Sequence, residues 1–138
     1  LEAAEQAYRK AGTLKPEAIE VKRNLGRLLL RAKRVQEAVP LFEEAARLAP
    51  ELPQSHNDLG EAYRQSDRGA EALAEFEKAL ELDANYAKAR YNLALTLAGS
   101  GKVQEAIAEL ERYLKLEPRP PDSQEVKKFI EQLSAKKQ

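Results

Sequence analysis

Apolar residues recur along this chain at helical spacing, and the arrangement itself repeats. Leu25, Leu28 and Leu29 share one helical face, as do Ala38, Phe42 and Ala45. A slide of 34 residues superposes Leu25, Leu59 and Leu93, and likewise Ala4, Ala38, Ala72 and Ala106. The same slide aligns Tyr8, Phe42, Phe76 and Leu110, then Leu14, Leu48, Leu82 and Leu116. Each period predicts two antiparallel helices of about 12 to 15 residues. Breaks near 32–34, 66–69 and 99–101 divide each pair. Pro16, Pro50 and Pro118, with Ala84 in the third place followed by Asn85, separate the periods. No strand pattern occurs, and the breaks are too frequent for one continuous coiled coil.

Small residues stand where two backbones must approach: Gly26, Gly60 and Ala94 in the leading helices, Ala38, Ala72 and Ala106 in the trailing ones. A larger side chain at Ala72 would wedge the pair apart. The ends depart from the pattern. Residues 1–14 are expected to make only a trailing-type helix, with Glu5 and Gly12 in rows that are otherwise apolar. After Pro118, Pro120 and Pro121, the spacing of Asp122 and Glu125 is that of a capping box and starts a final helix. Its Val126, Phe129, Ile130 and Leu133 share a face, while Lys127 and Lys128 fall in the Leu-Gly rows, as expected of a solvating cap.

The run Leu59, Gly60, Tyr63, Ala72, Phe76, Ala79 resembles the tetratricopeptide repeat, a family whose period is also 34. The unit before it reads Leu25, Gly26, Leu29, Ala38, Phe42, Ala45, Pro50; the unit after it reads Leu93, Ala94, Leu97, Ala106, Leu110, Pro118. Lys22, His56 and Arg90 stand where the family often has tryptophan, and Tyr113 replaces the alanine of Ala45 and Ala79. The resemblance covers residues 1 to about 120. It implies an all-α, right-handed superhelical solenoid within a single domain over 1–138. The expected parts are a half repeat (1–16), full repeats (19–52, 53–86 and 87–120) and a capping helix (121–138).

Length and composition narrow the function. At 138 residues one cooperative unit is expected, and 23 basic against 23 acidic residues leave no net field to attract nucleic acid or an anionic membrane. Hydrophobic residues at 43% suffice for a core, and no apolar run is long enough to cross a bilayer, so a soluble protein is expected. The chain has no cysteine, which excludes disulfides, thiolate metal sites and thiol catalysis. The compartment stays undetermined, with the cytoplasm marginally favoured. One histidine, His56, cannot supply both ligands and base, and it reads as a partly exposed helical residue. The chain opens on Leu1 and contains no methionine, which suggests a piece of a longer chain or a processed product.

Nothing else points to catalysis, metal or cofactor. Gly99-Ser100-Gly101-Lys102 has the ending of a phosphate loop, but Val103 follows the lysine and no strand precedes it, so it reads as a turn. Pairs such as Glu43 and Glu44, or Glu109 and Glu111, read as solvated charge with partners three or four residues away.

The leading helices remain. Arg23, Arg27 and Arg31 fall opposite Leu25 and Leu29 and so face outward. The resemblance implies that these helices line a concave groove that takes an extended peptide or a partner helix. The candidate contact residues are Arg23, Asn24, Arg27, Arg31, Asn57, Asp58, Lys88, Tyr91, Asn92 and Leu95. The arginines suit acidic groups. Asn24, Asp58 and Asn92 form a ladder able to grip a peptide backbone, or else a set of local structural bonds. Tyr91 and Leu95 offer apolar anchorage, or are covered by the cap helix with Phe129. Some chaperone-binding relatives clamp a C-terminal carboxylate through Lys, Asn, Asn, Lys and Arg. The corresponding places here hold Arg23, Arg27, Asp58, Lys88 and Asn92, of which only the first and fourth keep the charge type, and Asp58 would repel the ligand.

The expected function is therefore a non-catalytic scaffold whose partner is a protein or peptide, with acidic residues favoured and neither nucleic acid nor membrane insertion involved. Two alternatives stand beside it. One is homo-oligomerisation through the raw edge of the half repeat at Ala4, Tyr8 and Ala11. The other is a role as the targeting segment of a larger enzyme.

Overall fold

The computed structural model describes residues 19–116 and 122–136. The expected half repeat, with Ala4, Tyr8 and Ala11, lies outside them, as do Pro16, Pro118, Pro120 and Pro121. Among the described residues the chain forms helices α1 (Ile19–Arg31), α2 (Val35–Leu48), α3 (Pro53–Gln65), α4 (Gly69–Leu82), α5 (Ala87–Gly99), α6 (Val103–Leu116) and α7 (Asp122–Lys136), and no strand. None of these helices is long and apolar enough to cross a membrane.

The turns inside each pair share one construction. Lys33, Asp67 and Gly101 adopt positive φ of 61°, 61° and 79°. The next amide reaches back to close the helix end: Arg34 N–H to the Leu29 carbonyl at 2.8 Å, Arg68 to Tyr63 at 2.8 Å and Lys102 to Leu97 at 2.9 Å. This is the left-handed C-terminal cap, which satisfies carbonyls that the ending helix would otherwise orphan. Glycine is free of the steric cost, whereas Lys33 and Asp67 bear it. Gly99-Ser100-Gly101-Lys102 is thus a helix-ending turn.

Each turn folds a trailing helix back onto its leading partner, so α1 lies on α2, α3 on α4 and α5 on α6, and each pair stacks on the next. The predicted rows form the core. Ala38, Ala72 and Ala106 are fully buried, as are Phe42, Phe76 and Leu110. The glycines exist for the phenylalanines. A Cβ on Gly26 would stand 2.5 Å from Phe42 Cζ, and one on Gly60 would stand 2.6 Å from Phe76 Cε1. In the third pair the leading residue is Ala94, and its opposite number has shrunk to Leu110. Each row compensates the other.

The terminal helix α7 covers the last pair with Val126 and Leu133 buried and Phe129 and Ile130 packed beside them. Lys127 and Lys128 face solvent. Two positions depart from the even pattern. Leu82, in a leucine row, is 45% exposed. Pro40 lies inside α2 on its exposed side, where the row mates are Ala74 and Ala108.

Candidate functional site

The outward faces of α1, α3 and α5 stand side by side, and their polar residues are bonded to one another across the units. Arg23 Nε donates to Asp58 Oδ2 at 2.6 Å, and Arg27 Nη2 donates to the same oxygen at 3.3 Å. Arg27 Nη1 also donates to Asn24 Oδ1 at 3.3 Å. Side-chain exposure is 11% for Arg23 and 8% for Asp58 but 40% for Arg27, so the first two are closed off and the third is open. Arg23 therefore stands clear of the core without being a freely exposed residue, because the neighbouring unit covers it. Asp58 brings no unbalanced negative charge into the groove.

One unit further on, Asn92 Nδ2 donates to Asn57 Oδ1 at 3.0 Å. Asn57 is buried, which commits its amide to the structure. Tyr86 lies close by, and its phenol is held above the ordinary range, first by burial and then by the Asp58 carboxylate. The two inter-unit links, Arg23 to Asp58 and Asn57 to Asn92, have the same sequence separation of 35.

Around these links the surface is concave. A hollow of about 250 Å³ is bounded by Arg27, Leu30, Asn57, Asp58, Glu61, Lys88 and Asn92. An adjoining one of about 420 Å³ is bounded by Arg27, Leu30, Arg31 and Gln65. Arg31 and Lys88 are exposed and form no ion pair among the described residues. Leu30, Glu61 and Gln65 were absent from the sequence-derived set. Glu61 and Gln65 are the row mates of Arg27 and Arg31, so the 34-residue shift already contained them. Glu61 holds Arg64 and Gln65 on its own helix.

Tyr91 and Leu95 lie apart from these hollows. The Tyr91 ring packs against Tyr113, with centroids 5.2 Å apart and planes tilted by 47°. The tyrosine that replaces the usual alanine in α6 thus receives it. Leu95 is half-buried and borders a separate hollow with Arg64, Thr96 and Ser100.

His56 differs from expectation: it is 7% exposed rather than partly open. Its Nδ1 lies 2.8 Å from Glu75 Oε1 and its Nε2 lies 2.7 Å from the Pro50 carbonyl. The reason appears in the next unit. There Arg90 occupies the equivalent place, donating to Glu109 Oε2 at 2.7 Å and to the Ala84 carbonyl at 2.9 Å. A planar cationic or donor group at this row staples the leading helix to the trailing carboxylate and to the loop between units. It fastens the leading helix to its surroundings.

Glu44 and Glu43 also have partners. Glu44 pairs with Arg47 one turn on, which holds its carboxyl below the usual range. Glu43 accepts from the Tyr63 hydroxyl at 2.7 Å, a link across units in place of a neighbour on its own helix. Burial, followed by Glu43, pushes the Tyr63 phenol up. No group of acidic or histidine residues among the described ones is arranged to hold a metal ion.

Comparison with known proteins gives these geometries a setting. Tetratricopeptide repeat models match residues 59–131 and 1–53. No curated protein sequence matches the chain. Among solved structures, the first repeat domain of Spaghetti (RPAP3), bound to the HSP90 peptide SRMEEVD, is similar with a TM-score of 0.78 and 22% identity, over 85% of this chain and 90% of that one. The Yersinia enterocolitica type III secretion chaperone SycD, in complex with a peptide of the translocator YopD, gives 0.78 and 18%, over 86% and 94%. MamA gives 0.77 and 24%, over 83% and 67%.

Proposed function

The chain belongs to the tetratricopeptide repeat family, a class of protein-interaction scaffolds, and on that footing we propose that it binds a segment of another protein along the faces of α1, α3 and α5 without catalysing a reaction. The observation that carries this reading is the split among the groove's charges. Asp58 absorbs Arg23 and part of Arg27, which leaves Arg31, Lys88 and the open side of Arg27 as cations facing a concave surface. Cations around a hollow suit a segment bearing Asp or Glu, and the guanidinium groups bind carboxylates in two-pronged fashion. Asn24 and Asn92 stand beside them as backbone contacts. Arg23, Asn57 and Asp58 form the rigid floor, which keeps these groups in place before the partner arrives. Tyr91 and Leu95 extend the surface towards the third unit. The peptides bound to Spaghetti and to SycD support an interaction of this type.

The test must leave the floor intact, because alanine at Arg23 would strand Asp58 and confound binding with stability. We would present the chain with a displayed random-peptide library and measure the enriched peptides by calorimetry against Arg31→Ala/Lys88→Ala. The expected result is acidic enrichment, with affinity about tenfold weaker in the double variant and a shallower salt dependence. Enriched peptides that bind both proteins equally at every salt concentration would overturn the proposal.

A further inference from the structure

The repeat offers an internal template for a second binding site. On the trailing-helix side, a hollow of about 560 Å³ opens between α4, α5 and α6; it shares no lining residue with the groove described above. Its floor is apolar, with Leu80, Leu93 and Leu97, and its rim is acidic, with Glu77, Glu105 and Glu109. Arg90 and Arg112 occupy Glu109. Glu77 and Glu105 form no ion pair among the described residues.

One unit earlier the same place is filled. Tyr63 is the row mate of Leu97, Glu43 of Glu77 and Glu71 of Glu105. The Tyr63 ring fills that space, its hydroxyl donates to Glu43 at 2.7 Å, and the Arg68 guanidinium lies 4.3 Å over its face. In the later unit Leu97 is shorter and carries no donor, so the space opens and Glu77 loses its phenol. Lys102 stands in the row of Arg68.

We infer that the hollow between α4, α5 and α6 receives a tyrosine side chain from a partner protein, presented on a segment with basic flanks. The phenyl ring would lie on Leu93 and Leu97, its hydroxyl would donate to Glu77 as Tyr63 donates to Glu43, and the flanking lysines or arginines would meet the unpaired rim. A carboxylate only accepts, so the guest must supply the donor. The acidic rim also selects against the acidic segments suited to the other groove.

The probe is the pentapeptide Lys-Lys-Tyr-Lys-Lys, titrated into isotope-labelled chain and followed by amide shifts, with Lys-Lys-Ala-Lys-Lys as control. The expected shifts centre on Glu77, Leu93 and Leu97, and the alanine peptide binds about tenfold more weakly. Leu97→Tyr fills the hollow from within and removes the response, and Glu77→Gln weakens it while keeping the fold. Arg31→Ala/Lys88→Ala leaves it unchanged, which separates this site from the first. Equal shifts with both peptides, shifts confined to α1 and α3, or undiminished binding to Leu97→Tyr would each overturn the inference.

Discussion

Phe76 lies so close to the bare Cα of Gly60 that a methyl group there would stand 2.6 Å from the ring. Gly60→Ala should therefore cost about 1 to 3 kcal/mol through overpacking. Adding Phe76→Leu should return part of that loss, because Ala94 and Leu110 already form that pair in the following unit. Urea denaturation of the two single variants and the double variant measures the coupling. Purely additive losses would contradict the compensation.

Arg23 and Asp58 form a covered ion pair between units, and removal of one member should be worse than removal of both. Arg23→Ala leaves a carboxylate that is 8% exposed with only the 3.3 Å contact to Arg27, a loss of about 3 kcal/mol. Arg23→Ala/Asp58→Ala should be the more stable variant. Thermal unfolding of both, with the order reversed, would show that the pair contributes no such restraint.

His56 and Arg90 perform one task in successive units, so His56→Arg should change stability by less than about 1 kcal/mol. His56→Ala, which strips the partner from Glu75 and from the Pro50 carbonyl, should cost about 1 to 3 kcal/mol. Equal losses for the two variants would mean that the row is tuned to imidazole alone.

Lys33 and Asp67 occupy left-handed backbone where Gly101 occupies it freely. Lys33→Gly and Asp67→Gly should each raise stability by about 0.5 to 1 kcal/mol, since relief of the left-handed strain outweighs the added chain entropy. Gly101→Ala should lower it. Denaturation midpoints check all three signs.

The fold was legible because the period writes it many times over. The rows of Leu25, Ala38 and Phe42, the breaks at 32–34, 66–69 and 99–101, and the last amphipathic face each emerge from spacing alone. The candidate site was less legible, since what decides it is how one unit touches the next. From spacing, Arg23 reads only as an outward-facing contact for a partner's acidic groups, because Asp58 lies 35 residues away and only the stacking of α3 beside α1 brings them together. Opposite charges at that separation, and the amide pair Asn57 and Asn92 at the same separation, were the available signal. His56 was misjudged for a related reason. Its helix face is polar, and its burial comes from Glu75 across the pair and Pro50 in the loop between units. A comparison of His56 with Arg90, each 19 residues before a glutamate, would have exposed the shared role. The hollow beneath Leu97 shows only when its row mate Tyr63 is seen filling the earlier one.

The central claim is that a partner segment lies across α1, α3 and α5, and an amide-shift footprint of a library-selected acidic peptide on the intact chain tests it most directly. The account predicts that the largest shifts fall at Arg27, Arg31, Lys88 and Asn92 and disappear with Arg31→Ala/Lys88→Ala. A footprint confined to the trailing helices α2, α4 and α6, unchanged in that variant, would contradict it.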